Sequence, residues 1–210
     1  KMLNLVLYLI WRKLSVKEIK KRRSIRKYKK KTVNKKDIEL ILRAGSYAPS
    51  AKNRQPWKYY IYTENNKNKL LDCMEAGLMR ETGENKLLPN SQYGLLDAFH
   101  TLKIMREAPV LIMIENTNGT SPYLSIDTDH RVTEICDTLS IGASVQNILL
   151  TATELGYGTL WIANTCFAYN ELVDFMGIKG QLVGAISLGI ADEAPGQRPR
   201  KEFSEVVEFQ

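Results

Sequence analysis

The stretch Arg22-Arg23-Ser24-Ile25-Arg26 is the most chemically distinctive part of the chain. In an extended segment alternate side chains point to the same side, so Arg22, Ser24 and Arg26 would share one face. Guanidinium groups bind phosphate through paired hydrogen bonds, and a hydroxyl between them can add another. The spacing therefore predicts a pocket for a phosphate dianion or for the oxygen atom of a polar ring.

Two further segments have the composition of a binding site. In APSAKNRQPW, residues 48–57, Pro49 and Pro56 fix the path of the chain, and the small and amide side chains between them leave room for a flat polar group. The RPRK cluster at residues 198–201 is a second group of positive charges, after the last predicted strand. Two arginine clusters around one phosphate explain the sequence better than two unrelated surface patches.

The common sequence patterns of side-chain catalysis do not occur. There is no glycine-rich phosphate loop, no GxSxG elbow and no HExxH motif. The two histidines are too few for a convincing metal site, and Asp127 before His130 is better explained as a helix N-cap, so we expect no metal. An enzyme with this sequence and no catalytic side chain of its own would depend on an organic cofactor.

Composition and charge describe a globular protein with one basic segment. The chain has 210 residues, 44% of them hydrophobic and 25% charged, with a net charge of +7. Residues 11–36 carry fourteen Lys or Arg against the single Glu18, so the remainder is close to neutral. The run 20–31 leaves four interpretations open: a nucleic-acid arm, a localisation signal, a solvated helix end, or one wall of an anion pocket. The lysines beyond Tyr28 are better explained as a solvated turn than as ligands.

The organisation predicted from the pattern is an N-terminal apolar extension or helix at 1–15 followed by a single domain at 16–210. The apolar run in the extension is shorter than the roughly 20 residues that a membrane-spanning helix needs, so no membrane partner is expected. The three cysteines are far apart and odd in number, which argues against disulfides and structural zinc and predicts a cytoplasmic location.

Helical and strand periodicities alternate along the domain without a regular βαβ rhythm. They predict helices at 35–47 (with Asn34 as N-cap), 66–80, 129–155 and 170–177, and strands at 57–63, 109–115, 159–163 and 182–191. Residues 81–92 are predicted as a loop. This pattern indicates an α+β fold with a central mixed sheet flanked by helices.

The sequence resembles the nitroreductase family of flavin enzymes over roughly residues 18 to 208. Four motifs carry the resemblance in order: RRSIRKY, APSAKNRQPW, IGASVQNILLTATELGYGTLWI and GAISLGIADEAPGQRPRKEFSEVV. It implies a mainly antiparallel sheet, an intertwined homodimer and FMN bound at the subunit interface. The segment WIANTCFA departs from the family's acidic or glycine-containing turn, and no flavin contact is matched in residues 78–106.

The resemblance implies roles for individual residues of this chain. It places Arg22, Arg23, Ser24 and Arg26 at the ribityl phosphate and the polar edge of FMN, with Arg200 and Arg198 closing on the phosphate from the tail. It places Pro49, Ser50 and Ala51 against the flavin ring of the partner subunit, with Asn53 and Gln55 orienting their loop. Gln146 would reach the ribityl chain, and the backbone of Leu160, Trp161 and Ile162 would pass beside the ring.

The activity that follows from the resemblance is a ping-pong oxidoreduction. NADH or NADPH would reduce the flavin, and a nitroaromatic, a quinone or another conjugated small molecule would reoxidise it, with no side chain acting as catalyst. Two alternatives from other classes remain: a flavin-binding protein without turnover, and a basic nucleic-acid-binding module that uses residues 20–31.

Overall fold

The computed structural model describes residues 17–210, and the predicted N-terminal helix at 1–15 lies outside them. Within this range the α-helices are α1 (Lys17–Lys21), α2 (Lys35–Ser46), α3 (Glu64–Thr82), α4 (Leu95–Glu107), α5 (Thr128–Glu154) and α6 (Tyr169–Met176). The strands are β1 (Trp57–Thr63), β2 (Val110–Asn116), β3 (Gly158–Ile162) and β4 (Gln181–Gly189). Short 3-10 helices cover Ala51–Asn53, Pro89–Gly94, Asn164–Ala168 and Phe203–Glu205. The predicted α+β class is confirmed.

The four described strands form one sheet in the order β1-β2-β4-β3, and every neighbouring pair is antiparallel. The prediction of a mainly antiparallel sheet is therefore confirmed for these strands. The parallel contribution is limited to an isolated bridge between Ser24 and Thr159, because the arginine-containing segment meets β3 there without forming a strand of its own.

Helices cover both faces of this sheet and bury a separate hydrophobic cluster on each. Alternate residues of β2 belong to the two clusters: Leu111 and Met113 to one, Ile112 and Ile114 to the other. Helices α3, α4 and α6 pack on the first face, whereas α2 and α5 pack on the second. All of β2 is buried, as its continuous apolar run predicts.

The two predicted helix caps are present. The side chain of Asn34 accepts a hydrogen bond from the backbone N–H of Lys36 at the start of α2, at 2.9 Å. Asp127 accepts one from the N–H of His130 at the start of α5, also at 2.9 Å, so the N-cap interpretation of Asp127 is confirmed.

No group of three or more His, Cys, Asp or Glu residues within 17–210 is arranged to hold a metal ion.

Helix α4 has no counterpart among the elements predicted from the sequence. Its buried residues Leu95, Ala98, Leu102 and Met105 recur at helical spacing, so the signal was present. Helix α3 also continues two residues beyond its predicted end, to Thr82.

In the part of the chain that the structure covers, no helix has the length and apolar composition needed to cross a bilayer.

Candidate functional site

The arginine segment is held extended by backbone hydrogen bonds to the sheet. The N–H of Ile25 donates to the carbonyl of Thr159 in β3 and the N–H of Lys29 donates to that of Ile190 just after β4, both at 2.9 Å. Tyr28 is buried between these points, and its hydroxyl donates to the Ile25 carbonyl at 2.8 Å. The arginines before and after Ile25 are therefore fixed at the edge of β3.

A cavity of about 560 Å³ opens beside this segment, and we call it the arginine cavity. Three separated parts of the chain form it: the segment 19–26, helix α5 and the C-terminal tail around 195–200. The residues of the predicted cofactor site that line it are Arg22, Arg23, Ser24, Arg26, Gln146, Arg198 and Arg200. The structure thus brings the two arginine clusters of the sequence together.

The positive charge of the arginine cavity is not neutralised by carboxylates. Among residues 17–210, none of the arginines that line it makes a salt bridge. Glu193, the acidic residue beside Arg26, instead accepts the backbone N–H groups of Arg26 and Lys27. Burial, followed by repulsion from Arg200 and Arg23, lowers the pKa of the Arg22 guanidinium. A pocket with these properties favours an anionic ligand.

A second cavity of about 310 Å³ lies next to the first, and Arg26 lines both. We call it the β3 cavity, because Leu160, Trp161 and Ile162 of that strand form one wall. Trp161 has 47% of its surface exposed, whereas Trp57 in β1 packs half-buried against the hydrophobic cluster under α5. The predicted phosphate and ring contacts therefore border two adjoining spaces.

Another wall of the β3 cavity comes from α4, the helix that was not among the predicted elements. Asp97, His100 and Thr101 line the cavity from one face of that helix. The side-chain amide of Asn164, after β3, donates to Asp97 Oδ2 at 2.9 Å and to Thr101 Oγ1 at 3.0 Å. This contact joins the segment WIANTCFA to α4 and supplies a wall where no family contact was matched. Helical spacing in 95–105 was the one signal that could have located it.

The loop of the second motif lies at neither cavity. Pro49, Ser50, Ala51 and Asn53 are absent from both linings, as is Gln55. The backbone N–H of Ala51 instead donates to Ser140 Oγ on α5, at 3.2 Å. Their predicted place, against the cofactor of a partner subunit, stays a prediction.

Comparisons with known proteins agree with this fold. The sequence profile described as "Nitroreductase family" matches residues 19–190. An Archaeoglobus fulgidus protein provisionally named NADH dehydrogenase/NAD(P)H nitroreductase is 29% identical over 148 residues, which cover 70% of this chain and 66%, just under two thirds, of that protein.

Solved structures of similar fold include two nitroreductases. One, provisionally named, is from Desulfovibrio desulfuricans in complex with FMN, with a TM-score of 0.67, 25% identity and coverage of 93% of this chain and 96% of that one. The other is the FMN-dependent nitroreductase NfnB of Mycobacterium smegmatis in complex with NADPH, with a TM-score of 0.69, 17% identity and coverage of 92% and 96%. The fold and site define a nitroreductase-like α+β protein. The chain belongs to the nitroreductase family, as the four motifs predicted.

Proposed function

We propose that this protein is an FMN-dependent oxidoreductase that takes electrons from NADH or NADPH and passes them to nitroaromatic, quinone or other conjugated acceptors. The observation that carries the proposal is the arginine cavity, in which arginines from both ends of the domain meet and make no salt bridge with a carboxylate of residues 17–210. The named complexes of similar fold support it, since one contains FMN and another is an FMN-dependent enzyme with NADPH.

The residues of the two adjoining cavities fit FMN in their chemistry. Arg22 and Arg200 would hold the phosphate, and Gln146, which lines the same cavity, would hydrogen-bond the ribityl chain. The residues of β3 that line the second cavity would contact the ring, and Arg26, which lines both cavities, would add positive charge. FMN, when bound, supplies the hydride and electron transfer chemistry. This chain's residues bind and orient it, and positive charge favours its anionic reduced state.

An absorbance spectrum of the purified protein, before and after NADH or NADPH, tests the proposal directly. We expect flavin bands that bleach on reduction and return when a quinone or nitroaromatic acceptor is added. A protein that contains no flavin and cannot be reconstituted with FMN would contradict the proposal. Bound flavin that neither nucleotide reduces in stopped-flow experiments would instead indicate a flavin-binding protein without turnover.

We further propose that the active form is a homodimer, and an apolar stripe on α5 supports it. Val132, Ile135 and Leu139 follow one another at helical spacing and are 55%, 53% and 70% exposed. A Cβ at Gly142, further along the helix, would meet only Trp161 at 4.0 Å among residues 17–210, so no second helix within that range accounts for this glycine. A second copy packed on this stripe accounts for both features and brings its 49–53 loop to the cavities.

Introducing a charge into this stripe is expected to separate the dimer. The change Leu139→Asp should give a monomer in sedimentation or light scattering, because an unpaired carboxylate would be buried in the contact. FMN affinity should fall with it, since the partner's loop is lost. Met79→Asp is the matched control, because Met79 is similarly exposed on α3, which covers the opposite face of the sheet. A dimer that survives Leu139→Asp unchanged would contradict this interface.

The proposed compartment is the cytoplasm. Cys73, Cys136 and Cys166 are all free, which supports a reducing environment. Cys166 lines neither cavity, and burial raises the pKa of its thiol, which disfavours the reactive thiolate. This argues against a redox role for Cys166.

A further inference from the structure

The loop between Pro49 and Pro56 holds an unusual backbone conformation. Lys52, Asn53 and Gln55 have φ values of 53°, 53° and 49°, in the left-handed region that L-residues with side chains seldom occupy. The clustering of three such residues within four positions indicates that surrounding contacts force the loop into this shape. Backbone strain of this kind persists where the conformation itself is needed.

The contact that restrains the loop is an ion pair with α5 between a partly exposed arginine and a completely buried carboxylate. Arg54, between the left-handed residues, donates from Nε at 2.8 Å and from Nη2 at 2.7 Å to Asp137 Oδ1. The Asp137 side chain is completely buried, and its Oδ2 accepts from Asn118 Nδ2 at 3.1 Å. The carboxylate on α5 thus joins the loop to the turn that follows β2.

Two further hydrogen bonds complete the attachment. The N–H of Ala51 donates to Ser140 Oγ, one turn along α5 from Asp137, and the N–H of Gln55 donates to Ser50 Oγ at 3.0 Å. Pro49 and Asn53 remain exposed. The loop is therefore fixed to α5 on one side and keeps an accessible side.

We propose that the Arg54–Asp137 pair is a positioning device for the flavin site. It holds the 49–55 loop in its left-handed conformation on α5, the helix that also carries the exposed apolar stripe and Gln146. The inference rests on the proposed function, in which this loop completes the flavin pocket of the partner subunit. Arg54 and Asp137 do not touch the flavin, and they act through the loop.

The choice of residues supports positioning over simple stabilisation. A buried ion pair carries a desolvation cost, and an apolar pair of similar volume often gives equal or greater stability. An apolar pair would not fix the direction of the loop, whereas two guanidinium nitrogens on one carboxylate oxygen define it. A strained loop joined to a completely buried charge is explained when the loop conformation is itself required.

The test compares FMN affinity with stability in the full-length protein. The single variants Arg54→Gln and Asp137→Asn should weaken FMN binding at least tenfold in fluorescence titration and lower the melting temperature. The double variant Arg54→Met with Asp137→Leu removes the buried charge, so its melting temperature should recover while its FMN affinity stays low. Arg106→Gln, which breaks an exposed ion pair between α4 and α3, is the control and should leave FMN affinity unchanged.

Each outcome decides the inference. Recovery of FMN affinity together with stability in the double variant would show that the pair is only structural and would overturn the proposal. Wild-type affinity in both single variants would also overturn it, while leaving the proposed function intact. A wild-type protein that binds no FMN would instead refute the proposed function, and the positioning role with it.

Discussion

Replacement of Arg22 by alanine is expected to weaken FMN binding by about ten- to a hundredfold. A hydrogen bond to a charged group contributes about 1.5–3 kcal/mol, and each 1.4 kcal/mol changes affinity about tenfold. In the free protein Arg22 is half-buried and repelled by Arg200 and Arg23, so its removal relieves repulsion. Stability without FMN should therefore be unchanged or slightly higher. Flavin fluorescence titration and thermal unfolding without FMN measure the two effects.

The matched control for Arg22→Ala is Lys30→Ala. Lys30 belongs to the same basic run, but it is exposed and does not line the arginine cavity. Its removal should leave the FMN affinity within about twofold of the wild-type value at physiological salt, because charges more than about 8 Å apart are largely screened there. Equal losses in the two variants would mean that the basic surface as a whole attracts FMN, and that the cavity is not the binding site.

Replacement of Glu81 by alanine is expected to destabilise the fold by about 3 kcal/mol or more. The Glu81 side chain is completely buried at the end of α3. It accepts hydrogen bonds from Arg80 at 2.6 Å, from the N–H of Leu87 at 2.7 Å and from the amide of Gln92 at 3.2 Å. Without the carboxylate these donors lose their acceptor, and the segment leading to α4 loses its anchor. Denaturant unfolding measures the change in the free energy of unfolding.

The stabilisation that depends on the ionised carboxylate of Glu81 should also be lost in acid. Burial by itself would raise the pKa of this carboxyl, but hydrogen bonds from Leu87 and Arg80 outweigh it and hold the pKa below the ordinary 4.5. A carboxyl whose pKa is lower in the folded protein than in the unfolded chain stabilises the fold at a pH above its unfolded pKa. This stabilisation is lost as the pH falls through the folded pKa. The difference in the free energy of unfolding between wild type and Glu81→Gln should therefore be constant above pH 4.5 and should become smaller below it. Glu75→Gln, at an exposed position, should show little difference at any pH.

The sequence predicted the arginine side of the site better than its α4 side. Arg22, Ser24 and Arg26 are close in sequence, and their spacing in an extended segment is local information. The meeting with the 198–201 cluster was proposed from its positive charge, and the family motifs implied a role for Arg200 in particular, because composition alone does not show which residues meet in space. Asp97 and His100 were missed since neither forms a motif, and tertiary packing of α4 alone brings them to β3.

The basic run at 20–31 was open to four interpretations, and the structure separates its two halves. Its first half lines the arginine cavity, whereas Lys27 and Lys29 to Lys31 are exposed, as a solvated turn predicts. Tyr28, the one aromatic residue of the run, is only 7% exposed and is not available to stack on a base. The nucleic-acid interpretation thereby loses the contact that would have supported it.

Helix α5 carries Asp137, which anchors the loop, and Gln146, which lines the arginine cavity. Gln146 lies nine positions after Asp137, which corresponds to a rise of about 14 Å and about two and a half turns at 1.5 Å and 100° per residue. One inserted or deleted residue between them would rotate Asp137 by about 100° relative to Gln146 about the helix axis. The two side chains could then no longer reach the loop and the cavity at the same time. Insertions and deletions are therefore expected to be excluded from this stretch of helix, because they would separate the loop that Asp137 anchors from the cavity that Gln146 lines.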